Sequence, residues 1–401
     1  MVPNGWKTEK LASICTKITD GAHHSPKSVP SGYPMFSVKD MTHSGFRSES
    51  ARHISEADFK ALERQNCKPL LNDILIAKDG SILKYCFVVE EEIDGVILSS
   101  IALLRPNLNI VEPKFISHYF SQDWVKFYVG KALTSGSGVP RIILKDFKSI
   151  KIPLPPLPEQ RKIAKILSTW DKAITTTERL IDNSKQQKKA LMQLLLTGKR
   201  RFSGFTKDWK QIHLGDIGKC ITGLTYKPSD TVDDGMLVLR SSNIQDSKLA
   251  FEDNVFVNAD LKVKSKTQEN DILVCVRNGS KNLIGKSTLI KGRAIGQAHG
   301  AFMTLFRSKY PLYVSQLFQS DEFFRQVNMN LGATINSINT SDLHKFKFSI
   351  PTDENEINAI AACLSNAEKE IEVLQQQLVD LNQEKKALMQ QLLTGKRRVK
   401  I

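Results

Sequence analysis

Apolar residues recur every three or four positions along two stretches of the chain, and this spacing predicts two long helices. In the first stretch the apolar positions begin at Ile163 and continue to Leu195, with steps that alternate between four and three residues. A 3.5-residue period is typical of helices that pack along a common seam. The same spacing returns from Ile360 to Leu392. Because one amphipathic helix of this length would be poorly buried, two matching seams favour pairing of the helices.

The residues of the two predicted seams occupy equivalent positions, and a lysine interrupts each seam at the same place, at Lys188 and at Lys385. The predicted helix-pairing residues are Ile163, Leu167, Trp170, Ile174, Ile181, Leu191, Leu195, Ile360, Leu364, Ile371, Leu374, Leu378, Leu388 and Leu392. Prolines before residue 159 and glycines at 198 and 395 are typical start and stop signals of such helices.

The two helical stretches belong to an internal repeat that divides the chain into halves. Residues 188–201 read KKALMQLLLTGKRR and residues 385–398 read KKALMQQLLTGKRR, so a single position differs. Upstream the similarity is weaker but keeps its order: Trp6 aligns with Trp209, and residues 78–81 align with 277–280. Each half therefore consists of a divergent segment of about 150 residues and a more similar segment of about 45. The end of the linker before Trp209 resembles the start of the chain, so we expect a circular plan whose termini lie near each other.

The divergent segments contain short apolar runs bounded by Gly, Asp and Lys, which predict strands of mixed α+β domains. The predicted strands are 74–77, 87–89, 97–104, 272–276 and 302–306, and the predicted helices are 116–128 and 314–327. The expected fold class is α+β, with two globular domains separated by an antiparallel pair of long coiled-coil helices in a pseudo-two-fold arrangement. The predicted boundaries are 1–153 and 202–351 for the globular domains, and 154–201 and 352–401 for the helical segments.

Positive charge narrows the class of partner. The chain of 401 residues holds 57 Lys and Arg against 42 Asp and Glu, a net charge of +15. This excess favours a polyanionic partner, with nucleic acid first and an anionic membrane second. The segment 159–201 carries net +7 and the segment 354–401 carries none. The first helix therefore presents either an ordinary solvated face or a face toward phosphates. Its seam, at about 1.5 Å per residue, is roughly 50 Å long, longer than one turn of DNA at about 34–36 Å.

Cysteine usage and the absence of apolar runs indicate the compartment. The six cysteines are far apart, no pair forms C-x-x-C, and the histidines form no H-x-x-x-H, so no metal site is expected. Free thiols are typical of a reducing compartment. No apolar run approaches the roughly 20 residues of a membrane helix, and the first residues resemble no signal segment. We therefore expect a cytoplasmic protein without a membrane partner.

Catalytic motifs are missing from the sequence. The stretch from Gly279 to Ser287 resembles a phosphate-binding loop, but five residues separate its glycines where the motif needs four. The residues that follow, 288–292, are predicted to form a strand rather than the helix that would hold a phosphate. No Asn/Asp-Pro-Pro-aromatic run for amino methylation is present, and no Gly-x-Ser-x-Gly or His-Glu-x-x-His. We expect no catalysis by this chain alone.

The half-repeat plan, the IPLPPLPEQ stretch at 152–160 and the paired KKALMQ–LLTGKRR segments resemble the specificity subunits of type I restriction–modification systems. The most telling local signal is the run from Gly136 to Gln160, which contains GSGVPRI before the prolines. The second half departs from it, with residues 334–338 (TINSI) in place of the glycine-rich form and residues 353–356 (DENE) in place of the proline-rich run.

The resemblance implies a function and a set of partners. Each divergent segment would be a target-recognition domain that reads one half of a split, asymmetric sequence in double-stranded DNA. The similar helices would set the spacing and dock two methyltransferase subunits, and two restriction and translocase subunits would join them for cleavage. S-adenosylmethionine, ATP and Mg²⁺ would belong to those partners, and this chain would hold no cofactor.

Candidate DNA-contacting residues follow from side-chain chemistry, because Arg, Lys, Asn and Gln read base edges best and Ser and Thr assist them. The candidates are Lys39, Lys78, Ser137 and Arg141 in the first half, and Arg240, Ser242, Asn243, Arg277, Asn278 and Lys281 in the second. An ordinary salt bridge or turn remains the alternative for each of them. At the level of the whole chain, a coiled-coil adaptor that binds two proteins is the alternative function. A self-contained modification enzyme is disfavoured by the missing motifs.

Overall fold

The computed structural model describes residues 3–134, 138–261, 263, 265–331 and 336–401. The chain forms two units, Met1–Glu178 with Gln376–Ile401, and Arg179–Gln375. Two helices of 39 residues, Leu157–Leu195 and Glu354–Leu392, contribute residues to both units. The observed mixture of helices and sheets agrees with the predicted α+β class. None of the helices in the described residues has the length and apolar character that a membrane-spanning segment requires.

The first unit contains short strands and helices ahead of the first long helix. Its strands are β1 (Lys7–Lys10), β2 (Cys15–Asp20), β3 (Tyr33–Phe36), β4 (Arg52–Ile54), β5 (Ile74–Ala77), β6 (Cys86–Val88), β7 (Val96–Ile97), β8 (Ile101–Pro106) and β9 (Lys151–Leu154). Its helices are α1 (Leu11–Ile14), α2 (Glu56–Arg64), α3 (Pro113–Ser121), α4 (Asp123–Ala132) and α5 (Leu144–Ser149), followed by the long helix α6 (Leu157–Leu195).

The strands of the first unit form three sheets. The central sheet has the antiparallel order β2-β8-β5-β6, and its strands are buried because apolar residues occupy consecutive positions, as in β5. A second sheet has the order β4-β3-β7, in which β3 and β7 are parallel. The first strand β1 pairs with β9, the strand that enters α6. This pairing ties the beginning of the domain to the base of the long helix.

The second unit repeats this plan. Its strands are β10 (Trp209–His213), β11 (Gly218–Thr222), β12 (Thr231–Val232), β13 (Met236–Leu239), β14 (Ile244–Gln245), β15 (Lys248–Leu249), β16 (Phe256–Val257), β17 (Ile272–Cys275), β18 (Ser287–Leu289), β19 (Ala298–His299), β20 (Met303–Ser308) and β21 (Lys347–Pro351). Its helices are α7 (Pro311–Leu317), α8 (Asp321–Asn330), α9 (Thr340–His344) and the long helix α10 (Glu354–Leu392).

The sheets of the second unit match those of the first, except that β12 adds a fourth strand to the sheet that contains the parallel pair. The central sheet has the order β11-β20-β17-β18, and β10 pairs with β21 ahead of α10. The order β12-β16-β13-β19 again contains one parallel pair, β13 with β19, and β14 with β15 forms an additional hairpin. The repeat read from the helices therefore extends through the divergent domains.

The long helices begin and end at the predicted signals. Glu159 lies in the first turn of α6, and Glu354 and Glu356 lie in the first turn of α10, where a carboxylate is favourable to the helix dipole. After each helix a glycine adopts a positive φ, +70° at Gly198 and +69° at Gly395. A side chain at either position would be strained in this conformation, which explains the Thr-Gly stop in both copies.

The long helices run antiparallel within each unit. In the first unit Asp171 of α6 pairs with Lys385 of α10, and the more N-terminal Glu159 pairs with the more C-terminal Arg398. In the second unit Ser184 donates a hydrogen bond to Glu370 (3.4 Å), and Lys188 lies 3.4 Å from Glu368. The lysines that interrupt the seams therefore each have a carboxylate partner on the opposite helix.

The predicted seam positions are all buried or partly buried, and the ends of the seams belong to domain cores. Eight are buried, namely Ile163, Leu167, Ile181, Leu195, Ile360, Leu364, Ile371 and Leu392. The other six, Trp170, Ile174, Leu191, Leu374, Leu378 and Leu388, are partly buried. In the first unit Ile163 and Leu167 share a core with Leu392, and in the second Leu195 shares a core with Ile360 and Leu364.

In each unit an ion pair joins the start of one long helix to the residues that follow the end of the other, and the two ion pairs are equivalent. The Glu159 carboxylate accepts hydrogen bonds from Arg398 Nε (2.6 Å) and Nη2 (2.7 Å), and from Trp6 Nε1 (3.3 Å). The Glu356 carboxylate accepts the same pair from Arg201, at 2.8 and 2.7 Å. Arg398 Nη1 also donates to the carbonyl of Asn4 (2.6 Å). The expectation that the two ends of the chain lie near each other is confirmed.

Three sequence predictions need correction at the level of elements. Each helix predicted for 116–128 and 314–327 is two helices, α3 with α4 and α7 with α8. In the second unit Ser320 caps α8 by accepting a hydrogen bond from the Phe323 amide, which starts a new helix instead of continuing α7. The apolar run 97–104 is likewise two strands, β7 and β8, in different sheets.

Candidate nucleic-acid interface

A bridge between two backbone segments lies at the end of β5 in the first unit. The chain leaves the buried strand at Ala77, and an isolated antiparallel bridge joins Asp79 to Arg141. The amide of Gly80 donates to the Pro140 carbonyl (2.8 Å), and the Ile142 amide donates to the Lys78 carbonyl (3.0 Å). Gly80 has φ +69°, a conformation that favours glycine. The bridge therefore brings together Lys78 and Arg141, two candidates that are 63 positions apart in the sequence.

Charged side chains at this bridge form a continuous network. Lys78 is buried, and its Nζ lies 3.1 Å from Asp79 Oδ1 and 3.4 Å from Asp20 Oδ2. Arg141 Nε lies 3.2 Å from the same Asp79 oxygen, while the Arg141 side chain remains 59% exposed. His23 adds a contact to Asp20 at 3.1 Å. Lys78 is thus held inside the domain between two carboxylates, whereas the side chains of Arg141 and His23 reach solvent.

The second unit builds the same bridge on the same backbone. Arg277 is bridged to Ser337, the Ile338 amide donates to the Val276 carbonyl (2.9 Å), and the Asn278 amide donates to the Asn336 carbonyl (3.3 Å). These bonds make Val276 the counterpart of Lys78, and Arg277 the counterpart of Asp79. The sequence alignment of residues 78–81 with 277–280 was therefore wrong by one position. The sequence alignment matched the two Gly-Ser pairs, whereas the backbone pairing continues the register in which β5 and β17 correspond.

Side chains around the second bridge differ from those of the first. Arg277 is exposed, and its guanidinium lies 5.8 Å from the ring centre of Phe302, itself 56% exposed. Asn278 Nδ2 donates a hydrogen bond to Ser241 Oγ (3.1 Å), and its Oδ1 accepts one from the Ser280 amide (3.0 Å). An exposed arginine next to an exposed ring suits contacts with bases or phosphates. Phe302 was not among the candidates, although its place at the start of the predicted strand 302–306 could have indicated it.

Buried groups behind the second bridge are held neutral. Burial raises the pKa of the Cys275 thiol to about 11, and this thiol donates a weak hydrogen bond to the Arg277 carbonyl (3.6 Å). Burial also lowers the pKa of His299, whose ring contacts the Ile221 carbonyl (3.0 Å). Positive charge at this surface therefore comes from exposed side chains, of which Arg277 and Lys281 are two.

A second loop in each unit follows the parallel strand pair. After β3 a short 3-10 helix contains Lys39 and Asp40, and after β13 its counterpart contains Ser242 and Asn243. Lys39 is exposed and Ser242 is partly exposed. Asp40 and Asn243 are fully buried, and Asn243 accepts from the Arg240 amide (2.8 Å) and donates to the Ala250 carbonyl (2.9 Å).

Two candidates in these loops, Asn243 and Arg240, therefore have partners within the domain. The Asn243 side chain caps its own loop, so it serves the fold rather than an exposed contact. Arg240 Nη2 lies 2.9 Å from Asp253 Oδ1, and its side chain is 34% exposed. A surface groove of about 420 Å³ lies beside this loop, lined by Ser241, Ser242, Ile244, Gln245, Asp246, Leu283 and Lys286.

The segment that resembles a phosphate-binding loop has a different structure. Lys281 starts a short 3-10 helix of three residues, and the chain then enters β18 at Ser287, as the sequence predicted. Lys286 donates to the Ile244 carbonyl (2.6 Å), so its ammonium is tied to the neighbouring loop. Lys281 is exposed and stays a candidate for phosphate contact. Among the described residues, no group of His, Cys, Asp or Glu is arranged to hold a metal ion.

One candidate cannot be placed. Ser137 lies outside the described residues, as do Gly136 and the equivalent stretch 332–335. The structure therefore brings together Lys78 with Arg141, and Arg277 with Asn278 and Ser241, on one bridge in each unit. Asp20 and Asp79 were missed by sequence reasoning, because an acidic residue is not expected at a DNA-contacting surface and only the backbone pairing shows what they hold.

Comparison with known proteins follows the same division into two halves. The family model described as the type I restriction modification DNA specificity domain matches residues 3–184 and 206–383. Each match contains one complete bridge. The type I restriction enzyme MjaVIII specificity subunit of Methanocaldococcus jannaschii is 28% identical over 346 residues, which span 82% of this chain and 80% of that protein.

Solved structures have the same fold. The S subunit of a type I restriction–modification system from M. genitalium superposes with a TM-score of 0.65 at 16% identity, covering 98% of this chain and 97% of that one. A chain solved in work on complex assembly and conformational transition of the type I R-M system gives a TM-score of 0.58 at 18% identity, with 98% of both chains covered. The chain therefore belongs to the type I restriction–modification DNA specificity family, as a specificity subunit with two recognition domains.

Proposed function

We propose that this chain reads a split sequence in double-stranded DNA, one half with each recognition domain. The observation that carries the proposal is the pair of bridges, which have the same backbone hydrogen bonds and different side chains. Asp79 and Arg141 stand in the first unit where Arg277 and Ser337 stand in the second. The same backbone bridge with different polar side chains suits two domains that recognise different base sequences. We expect the two half-sites to differ, so that the whole target is asymmetric.

The charge distribution supports binding to the DNA backbone as well as to bases. The chain carries a net charge of +15, and the segment 159–201 alone contributes +7. Lysines and arginines that contact phosphates release counterions, so binding should weaken steeply with added salt. Phosphate contacts would position the chain, and the bridge side chains would supply the sequence preference.

The nearly identical ends of the two long helices support a role as a scaffold. Residues 188–201 and 385–398 differ at one position, so they offer two equivalent surfaces to two copies of one partner. We propose that these partners are two methyltransferase subunits, and that two restriction and translocase subunits complete the complex. S-adenosylmethionine, ATP and Mg²⁺ would bind to those subunits. This chain would supply recognition and no catalysis of its own.

Genome-wide mapping of methylated adenines, in the host and in a strain that lacks this gene, tests the proposal. The expected result is a split motif with two unlike half-sites and an unread spacer, methylated only when the chain is present. Strains that carry R141S or R277A serve as matched variants, each expected to alter one half-site alone. Unchanged methylation in the deletion strain, or methylation of DNA by the purified chain alone, would contradict the proposal.

Duplex binding separates this function from the alternative of a protein adaptor. Together with its methylating partner the chain should bind duplex DNA with a steep dependence on salt concentration. A complex that assembles but binds no duplex at low salt would favour the adaptor instead.

A further inference from the structure

We propose that Arg141 reads a guanine in the half-site of the first recognition domain, and that Asp79 and Lys78 are positioning residues that orient it. The inference rests on the proposed function, because it names the base that the first domain recognises. It concerns four of the side chains at the first bridge, Asp20, Lys78, Asp79 and Arg141, which we call the bridge network.

The geometry of Arg141 suits a guanine. Its Nε is the atom that lies near Asp79 (3.2 Å), and the side chain is 59% exposed. An arginine held through Nε keeps its terminal nitrogens for another partner. Two parallel N–H groups of a guanidinium match O6 and N7 of guanine in the major groove, which is the commonest specific arginine contact with DNA. A carboxylate behind the guanidinium also limits its rotamers, so less conformational entropy is lost on binding.

Lys78 explains how Asp79 is held. Its ammonium lies between Asp79 (3.1 Å) and Asp20 (3.4 Å), and the exposed fractions of the three side chains are 5%, 12% and 9% for Lys78, Asp79 and Asp20. Three buried or nearly buried charges are costly to remove from water, and such groups often contribute little net stability. The network therefore needs a reason other than the stability of the fold.

The second unit shows that the fold forms without this network. Val276 occupies the position of Lys78, as the amide bonds from Ile142 and Ile338 establish. Thr222 occupies the position of Asp20, because Asp20 pairs with Ala102 in the same register in which Thr222 pairs with Thr304. An apolar and a small polar residue thus complete the same sheet. The backbone of the domain therefore does not require the charges of Lys78 and Asp20. We infer that these charges serve to orient Arg141.

The same comparison accounts for two different half-sites. In the first unit the exposed arginine comes from the segment that follows α4, and in the second Arg277 comes from the end of β17, on the opposite side of an equivalent bridge. Arg277 is accompanied instead by the aromatic ring of Phe302. The two domains therefore present an exposed arginine to DNA from different positions on equivalent backbone bridges.

Selection of duplexes from a library with both half-sites randomised tests the inference, with the chain bound to its methylating partner. We expect R141S, which copies Ser337, to lower the preference for guanine at one position of the first half-site about tenfold or more. The second half-site should be unchanged, and it reports in the same molecule that the complex is intact. R141K should also lose discrimination, since an ammonium cannot make two parallel hydrogen bonds. K145A, which removes an exposed lysine on α5, is the matched control and should leave the base preferences intact.

Base analogues identify the contact itself. Replacing the selected guanine by 7-deazaguanine removes N7, and the wild-type complex should lose about tenfold in affinity. The R141S complex should not distinguish guanine from 7-deazaguanine. An equal loss in both complexes would overturn the assignment of Arg141.

Two further variants test the positioning role. D79N removes the charge beside Arg141, and the double variant D20T/K78V copies the second unit and so keeps a fold that the chain already forms. Both should weaken the guanine preference several-fold while leaving the salt dependence of binding unchanged. Unaltered preference in both variants would remove Asp79 and Lys78 from the mechanism. If the wild-type complex shows no sequence preference at all, the proposed function fails, whereas preference that survives R141S overturns this inference alone.

Discussion

His118 and Gln316 occupy equivalent places in the two units and meet equivalent carboxylates. His118 of α3 is buried, with Nε2 3.7 Å from Asp171. Gln316 of α7 is also buried and donates a hydrogen bond to Glu368 (3.2 Å). The Gln316 amide donates to its carboxylate without carrying a charge. For His118, burial lowers the pKa to about 4, so the neutral ring is the stable form.

The stability of the first unit should therefore depend on pH through His118. In the unfolded chain this group titrates near its ordinary pKa of about 6.5, so the unfolded state gains a proton first as the pH falls. The free energy of unfolding is therefore not reduced by His118 above pH 6.5. It falls by roughly 3 kcal/mol in all as the pH decreases from 6.5 to 4. We expect H118Q, which copies Gln316, to flatten this dependence. Hydrogen exchange of core amides at pH 7 and pH 5 measures it.

The variant Q316H provides the reciprocal check on this titration. It should introduce the same acid sensitivity into the second unit, with the first unit as the internal standard. Identical pH profiles for the wild-type chain and H118Q would show that His118 is not the group responsible, since titrating carboxylates contribute equally to both chains.

Single residues of the candidate site were predictable to different degrees. Arg141 and Arg277 were chosen as candidates because arginine reads base edges well and a glycine lies within three residues of each, and both are exposed. Lys78 and Asn243 also carry polar groups suited to contacts with DNA, yet both are buried and bonded internally. Burial depends on which segments pair across the sheet, and residue type does not contain that information.

The lysine in each seam explains why the helical pattern is interrupted without breaking the pairing. Lys188 is buried at 9% exposure, and its ammonium donates to Gln319 (3.1 Å) and lies 3.4 Å from Glu368. A buried polar pair at one seam position favours a single register, because a shift along the helix would leave both charges without partners. Register here is a property of the two helices together.

Reversal of the charges at this pair should therefore reveal their coupling. E368K places two ammonium groups together and should destabilise the second unit by about 1–3 kcal/mol. Adding K188E restores opposite charges, and the double variant should recover more than half of the loss. Thermal unfolding of the four chains gives the coupling energy as a double-mutant cycle. Additive effects of the two substitutions would mean that Lys188 and Glu368 do not act as a pair.

Elements with a long period were predicted better than short ones. The seams of α6 and α10 extend over many turns, so an error of one residue has little effect on the pattern. The helices predicted for 116–128 and 314–327 were each two helices, because Gln122 and Ser320 stand at interruptions that apolar spacing does not register. Strand β5 was predicted with its observed bounds, since its four apolar residues are buried on both faces.

At the scale of the whole molecule, the first unit is assembled from segments far apart in the sequence. The first unit combines Met1–Glu178 with Gln376–Ile401, whereas the second is the continuous stretch Arg179–Gln375. The predicted boundaries at 153, 201 and 351 follow the chain from domain to helix and stay a prediction. Boundaries that divide the chain into consecutive segments cannot describe a unit that includes residues 376–401. The repeat of residues 188–201 at 385–398 is the sequence feature that indicates this arrangement.

The contacts at the chain ends predict that a circular permutant will fold and recognise the same DNA. Arg398 donates to the Asn4 carbonyl (2.6 Å) in the first unit, as Arg201 donates to the Lys207 carbonyl (2.8 Å) in the second. If residue 401 is joined directly to residue 1, eight residues separate Arg398 from Trp6, against seven between Arg201 and Trp209. The join therefore needs no added linker, and the exposed linker 202–208 is the place to open the chain.

The permutant that begins at Phe205 and ends at Gly204 should give the wild-type methylation pattern, because both ion pairs to Glu159 and Glu356 are kept. Opening the chain instead within β17, after Leu273, is the control and should abolish folding of the second unit, since this strand is central to its sheet. Methylome mapping reads both half-sites in each strain. A permutant that is folded but reads only the second half-site would show that the covalent order of the chain, and not only its contacts, is needed by the first recognition domain.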